Sequence, residues 1–418
     1  MRVLWSVNTI SPVIASKLNT KSLHSISWVE AMSARLKSRN DISLAIAFPG
    51  SCETLQTFYV DQVTYYVLPG ENNLLTTWDK IISSFKPDII HIYGTERKHN
   101  LSLIDCVNNQ LPIVVSLQGI IAEYEKHYYG GMSIKDILKY YTIGDVILRQ
   151  GILAGKKKFA QQKKLEAQIL NNVSYFEGRS DWDRVMSAQI NPNRKYYTCP
   201  RMIREPFFDN SWNIQQAEPH SLFVHQGGYP IKGLHFMMEA LNILKKRYPD
   251  VKLYISGHNF LQKFSIKGML TETGYIKYIK HLIRKYDLVN NIVFTGYLPA
   301  NQLADRLSKV QACIVPSVIE NAPNSLAEGM IVGAPCIASY VGGNAEMLCG
   351  GLGGYLYRFN EPAMLADRVS CIFDNTNDAI VRAEYGKNIA RTRHDPDVLE
   401  KTLLDIYADI LVDFAGKK

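Results

Sequence analysis

Short apolar runs alternate with amphipathic stretches along most of the chain. In the first half, Arg2–Val7, Ile42–Phe48, Val63–Leu68, Asp88–Tyr93, Ile113–Leu117, Val173–Phe176 and Tyr196–Cys199 have the length and residue types of buried strands. Between them, Trp28–Ser38, Leu74–Phe85 and Leu101–Asn109 carry apolar residues at helical spacing. The alternation resumes with Leu222–Gln226, Val251–Gly257, Ile292–Leu298, Ala312–Pro316 and Cys336–Tyr340 as strands. Leu234, Met237, Met238, Leu241 and Leu244 make one apolar helical stripe, and Pro396–Phe414 is a long terminal amphipathic helix. Strands separated by helices imply right-handed crossovers and parallel sheets covered on both faces. Asp209–Pro219 is polar and aperiodic, which sets the expected division at 1–208 and 209–395, with 396–418 as a closing helix.

One stretch concentrates the chemistry. In Ala312–Met347, a strand pattern is followed by the loop Ser317–Pro323, a short helix Asn324–Val332 closed by Gly333, and a second strand. Glu320 lies in the loop and Glu328 in the helix, with seven residues between them. Ligands of alternating α/β chains bind at the carboxyl ends of strands. Two carboxylates there suit a polyhydroxyl ligand, and the helix start at Asn324, Ser325 and Leu326 offers backbone N–H groups and a positive dipole end to a phosphate. The same residues also fit a capping box, in which Glu328 satisfies only a backbone N–H beside Ser325.

This stretch resembles the donor-site signature of glycosyltransferase family 4. Glu320, Glu328, Gly333-Ala334-Pro335 and Gly342-Gly343 fall in register with that family's Glu-x7-Glu pair, Gly-x-Pro turn and Gly-Gly. The resemblance implies an α/β GT-B architecture, two Rossmann-like doubly wound domains with a cleft between them, whose final helix packs back toward the first domain. It further implies a retaining, metal-independent hexosyltransferase that uses a UDP- or GDP-linked sugar as co-substrate, with no other cofactor. In its terms Glu320 holds the donor sugar and Glu328 the ribose. Lys232-Gly233 matches the family's Lys-Gly, whose cation reaches the donor diphosphate. Gly227 stands where the family carries an Arg, so the backbone N–H groups of Gly227 and Gly228, or an arginine from elsewhere (Arg201 or Arg204), would supply the missing donor. Gln118 ends a strand at the acceptor side and is a candidate for the catalytic set. His258 and Tyr297 follow strands that frame the nucleotide. The first loop carries Ser22–Ser27, with His24, in place of the family's glycine-rich turn.

Size and charge narrow the picture. With 418 residues, 46% of them hydrophobic, the chain has room for two ordinary domains. No run approaches the roughly 18 apolar residues of a membrane span, and Arg2–Val7 reads as a strand rather than a leader. The seven scattered cysteines suit a reducing cytoplasm. The net charge of +8 comes without any nucleic-acid-binding signature, so no nucleic-acid partner is expected. Much of it sits in Ile134–Leu170, where lysines interleave with apolar residues. That pattern fits peripheral contact with an anionic membrane at its inner face, or a solvated helix face. Glu123–Tyr129 is dense in rings and hydroxyls, suited to sugar stacking or to packing under a loop. Gly178–Asp183 superficially matches an Asp-x-Asp metal motif but sits where Ser180 or Asp181 would cap a helix, so no metal is assigned.

The expected activity is transfer of a sugar to a glycan or polyprenyl-diphosphate-linked acceptor in bacterial surface polysaccharide synthesis, as for capsule or O-antigen. Two other readings share the pattern: a GT-B sugar-nucleotide epimerase, and a non-catalytic glycan-binding protein that kept the fold.

Overall fold

The computed structural model describes residues 1–18, 27–70, 73–225, 227–261 and 271–417. The polar run 22–26, His24 included, and Gln226 lie outside the described residues. The first sheet is built from β1 (Arg2–Ser6), β2 (Ser43–Pro49), β3 (Gln56–Val60), β4 (Val63–Leu68), β5 (Ile89–Tyr93), β6 (Ile113–Ser116), β7 (Tyr175–Gly178) and β8 (Lys195–Thr198), in the order β3-β4-β2-β1-β5-β6-β7-β8. The second contains β9 (Glu218–Val224), β10 (Lys252–Ser256), β11 (Ile292–Gly296), β12 (Val310–Val315), β13 (Cys336–Ser339) and β14 (Tyr355–Tyr357), in the order β11-β10-β9-β12-β13-β14. That is the 3-2-1-4-5-6 order of a Rossmann-like sheet, so the strand order reverses between β9 and β12. All described pairings are parallel except β3 with β4.

Strands β5, β6, β7, β12 and β13 are short and wholly buried, as strands covered on both faces must be. Strand β3 escaped the hydrophobic pattern because it is a half-exposed edge. It joins β4 through Asp61 and Gln62, both at positive φ (50° and 66°), a hairpin turn usually announced by Asn-Gly. Helix Leu74–Phe85 was legible throughout: Leu74, Trp78, Ile81 and Phe85 make its inner face, and Lys86 ends it in the left-handed region ahead of Pro87.

Two compact units result. The first comprises Met1–Ile121, Gln161–Ile203 and His394–Lys418; the second, Ala122–Ala160 and Arg204–Arg393. The division by sequence at 208/209 therefore differs in one substantial respect, because 122–160 belongs with the second unit. Its Met132, Ile137 and Ile152 sit in the same core as Leu234, Met237 and Leu241. His235 Nε2 lies 2.9 Å from the Gly130 carbonyl, and the Gly274 N–H donates to Asp145 at 2.9 Å. The terminal helix, Pro396–Ala415, is part of the first unit, where Leu399, Leu403, Ile406, Tyr407 and Ile410 join its core.

That first core holds a buried charge network. Arg201 Nη1 reaches Glu177 Oε1 at 3.0 Å, Ser116 donates to Glu177 Oε2 at 2.6 Å, and His91 Nε2 lies 2.9 Å from the same oxygen. Tyr407 closes the network, 2.7 Å from His91 Nδ1, and the Arg201 guanidinium lies over the Trp28 ring. Burial alone would raise the Glu177 pKa, but Arg201, His91 and Ser116 outweigh it and hold the carboxylate down at about 2. Since the folded value lies below the ordinary one near 4.5, Glu177 stabilises the fold above that pH and loses its effect as pH falls toward 2. Glu177→Gln should therefore flatten the acid limb of a stability-versus-pH curve. Arg201→Met, which strands the carboxylate, should cost about 3–5 kcal/mol in chemical denaturation.

Candidate active site

The reversal of strand order between β9 and β12 brings two loops together. The turn Pro230–Lys232 follows β9, and the loop 316–323 follows β12. The Val318 N–H donates to the Ile231 carbonyl at 2.7 Å, tying one loop to the other. Gly233, at φ 69°, ends the turn so close to its neighbour that a Cβ would stand 1.8 Å from the Pro316 oxygen. Gly342, at φ 49°, does the same on the other side, where a Cβ would stand 1.6 Å from the Glu320 oxygen. Both positions demand glycine twice over, for the backbone angle and for the space. Ser339 Oγ donates to the Ser317 carbonyl at 2.5 Å, Gly343 N–H to the Asn321 carbonyl at 2.8 Å, and Asn321 N–H to the Tyr124 hydroxyl at 3.1 Å.

The braced loop carries the charges into contact. Lys232 Nζ lies 2.5 Å from Glu320 Oε1, and Ser317 Oγ donates to that same oxygen at 2.8 Å. Among the described residues Glu320 Oε2 receives no hydrogen bond. Burial disfavours a charged Lys232, but the Glu320 carboxylate, with Tyr229 and Tyr124 nearby, outweighs it and holds the ammonium well above its usual pKa. One helical turn further on, Glu328 Oε1 accepts from Arg204 Nη2 at 2.9 Å, and His225 Nδ1 stands 3.7 Å from Oε2. Burial opposes charging the His225 ring, yet Cys313 and Glu328 together leave its pKa above the ordinary histidine value.

The capping-box alternative does not describe this helix. Pro323 is the N-cap residue of Asn324–Val332, no side chain caps it, and Glu328 is spent on Arg204. Asn324 and Ser325 are half-buried at its start, where helix geometry leaves N–H groups without intrahelical acceptors. Leu326 differs: it is buried, and its N–H donates to the Pro323 carbonyl at 3.1 Å. The helix start therefore leaves two half-buried residues, Asn324 and Ser325, where three were expected.

Other expected residues fall as follows. Gly227 packs against the following helix, a Cβ there standing 2.4 Å from Leu234 Cδ2 and 2.7 Å from its Cβ, whereas Gly228 faces open space. Of the two arginines considered as replacements for the absent cation, Arg204 reaches the cluster through Glu328, while Arg201 is committed to Glu177 in the first unit. Exposed His258 and Tyr297 follow β10 and β11, whose ends are joined by Gly257 N–H donating to Gly296 O at 2.9 Å. Gln118 belongs to the first unit, and its carbonyl accepts from Arg179 Nη2 at 2.5 Å. Ser180 and Asp183 form a capping box, which accounts for the Asp-x-Asp resemblance. Sequence reading missed Ser317, Tyr124 and His225 as partners. Ser317 bonds Glu320 within the loop itself, Tyr124 braces that loop across a tertiary contact, and His225 follows β9 where no spacing rule marks it.

Residues 204–391 match the model for glycosyl transferases group 1. This segment is a glycosyl transferases group 1 domain. The chain is similar to D-inositol 3-phosphate glycosyltransferase of Paenarthrobacter aurescens, with 25% identity over 57% of this chain and 53% of that protein. It spans 41% to 64% of the lengths of this and two other curated relatives. Among solved structures it resembles sucrose-phosphate synthase from Thermosynechococcus elongatus, at TM-score 0.70 and 14% identity over 99% of this chain and 100% of that one. It also resembles Anabaena HepE in complex with UDP, at TM-score 0.69 and 14% identity over 98% and 100%. The fold is thus GT-B, with two Rossmann-like parallel-sheet domains.

Within this domain the glycines should be as intolerant as the charges. Gly233→Ala and Gly342→Ala should each lower stability by more than about 1 kcal/mol in thermal melts, because the added Cβ meets backbone rather than a yielding side chain. Gly228→Ala, facing open space, should melt close to the unmodified protein.

Proposed function

We propose that the protein is a retaining, metal-independent glycosyltransferase of the family 4 type, transferring a sugar from a nucleotide-diphosphate sugar to a glycan acceptor. The observation that carries this reading is the Lys232–Glu320 contact at the strand-order reversal, next to a helix start with two uncommitted N–H positions. An ammonium has three donors. One serves Glu320, so Lys232 can also reach a diphosphate and stabilise the negative charge that grows there as the C1–O bond loosens. Asn324 and Ser325 supply further N–H donors to the same phosphates. Glu320 Oε2 accepts from hydroxyls of the donor sugar and fixes its position. Glu328, set by Arg204 and His225, holds the ribose, and His258 and Tyr297 border the base. HepE, a structural neighbour, binds UDP, which supports a uridine nucleotide over a guanosine one.

Gln118 is assigned to the acceptor side. The acceptor in this reading is a glycan carried on a polyprenyl diphosphate at the cytoplasmic face of the membrane, in bacterial surface polysaccharide synthesis. A relative named as a putative colanic acid biosynthesis glycosyltransferase supports that direction.

Lys232→Met and Glu320→Gln should each reduce turnover by about 10²–10³. Each single change also leaves one charge without its partner and should lower the melting temperature. The double variant removes both charges, so it should recover stability but not turnover. Transfer at the normal rate by either single variant would remove that residue from the mechanism. Product analysis with and without acceptor separates transfer from epimerisation.

A further inference from the structure

Residues 134–148 form two short helices, Ile134–Lys139 and Ile143–Leu148, anchored in the second unit by their inner faces. Ile137 and Tyr140 are buried, with Tyr140 against the Tyr278 ring at 5.0 Å. Thr142 Oγ1 donates to the Glu272 carbonyl at 2.6 Å, and Thr142 caps the second helix in a capping box completed by Asp145. The outer face is largely apolar. Ile134, Leu138, Tyr141, Ile143, Val146 and Ile147 are all exposed, from 43% to 65%. On the first helix Ile134 and Leu138 make one i,i+4 stripe, and exposed Lys135 and Lys139 make the stripe beside it. On the second, Ile143, Val146 and Ile147 share a face, and exposed Arg149 follows.

We infer that this face docks on an anionic lipid bilayer. Charge selects the occupant. Residues 133–160, all in the second unit, contain six Lys or Arg and two Asp, a net of +4 (6 − 2). Of the two acids, Asp145 is buried and bound to backbone N–H groups, and Asp136 accepts from Ser133. A second copy of the chain would fit poorly, since a self-complementary contact sets Lys135, Lys139 and Arg149 against their own kind. A bilayer with anionic headgroups takes the aliphatic side chains into its interfacial layer, holds Tyr141 at the headgroup level, and lets the lysine stems reach outward. The inference deepens the reading of a membrane-borne acceptor by naming the surface that meets the membrane. It also alters the sequence-based expectation for the long basic helix, Ile152–Asn171. In its part within the second unit Ile152 is buried while Lys157 and Lys158 are exposed, so that stretch contributes charge and the 134–148 hairpin contributes insertion.

The test is co-sedimentation of the full chain with vesicles of phosphatidylcholine alone and of phosphatidylcholine with 30 mol% phosphatidylglycerol. The expected result is at least tenfold tighter binding to the anionic vesicles, part of which survives high salt. The triple variant Leu138→Gln, Ile143→Gln, Ile147→Gln should lose the salt-resistant part. Lys135→Gln with Lys139→Gln should lower the low-salt affinity severalfold. The exposed positions allow all these changes without unfolding, checked by thermal melts. The inference is overturned if the unmodified protein ignores anionic vesicles, or if the triple variant binds them equally well at high salt. It is also overturned if light scattering shows a dimer that the same substitutions break. UDP affinity of the triple variant should equal that of the unmodified protein, so failure of vesicle binding is separable from failure of the transferase reading.

Discussion

The second unit depends on how closely its backbone can approach itself around one loop. Gly233 and Gly342 press against the carbonyls of Pro316 and Glu320 from two sides, at distances no side chain would permit. That approach is what sets Lys232 beside Glu320 and fixes the start of the helix that carries Glu328. A loop held only by side chains would let a lysine and a glutamate of this length settle in many arrangements, most of them solvated. Here the backbone is fixed first and the charges follow.

Both units bury charge, but they do so to different ends. In the first, Glu177 takes bonds on both oxygens, from Arg201 and Ser116, with His91 alongside, and the cluster is sealed by Tyr407 from the terminal helix. In the second, Glu320 has both its bonds on one oxygen, and Lys232 retains 19% exposure. The first arrangement leaves nothing for a ligand to engage. The second presents a partly satisfied carboxylate and an ammonium whose charge is assured, the two groups that an anionic, hydroxyl-rich ligand requires. Perturbed ionisable groups often mark functional sites, and the two clusters differ in satisfaction: the first is closed, whereas the second keeps a carboxylate oxygen open.

The 122–160 insert shows how a segment can be assigned to the wrong neighbour. By position it lies between strands of the first sheet, but Gly130, Thr142 and Asp145 bond to residues beyond 230. Its inward residues complete the core of the second unit and Tyr124 braces the loop that carries Glu320, while its outward residues stay apolar. The insert thus serves two surfaces at once, one toward the site and one toward whatever lies outside the protein.

What the sequence determined was local. Hydrophobic periodicity marked most of the parallel strands because buried strands must be apolar on both faces, and it marked Leu74–Phe85 and Asn324–Val332 to the residue. The Glu320–Glu328 spacing, Lys232-Gly233 and Gly342-Gly343 were likewise visible, since each is a short-range motif. Tertiary structure decided the rest. The β3 edge rests on an unusual turn, Leu326 spends its N–H within the helix, and Arg204 rather than Arg201 meets Glu328. The insert and the terminal helix each join a unit distant in sequence. Those outcomes turn on contacts between residues far apart in the chain, where the free energy depends on which surfaces meet, and no local pattern of residues encodes that meeting.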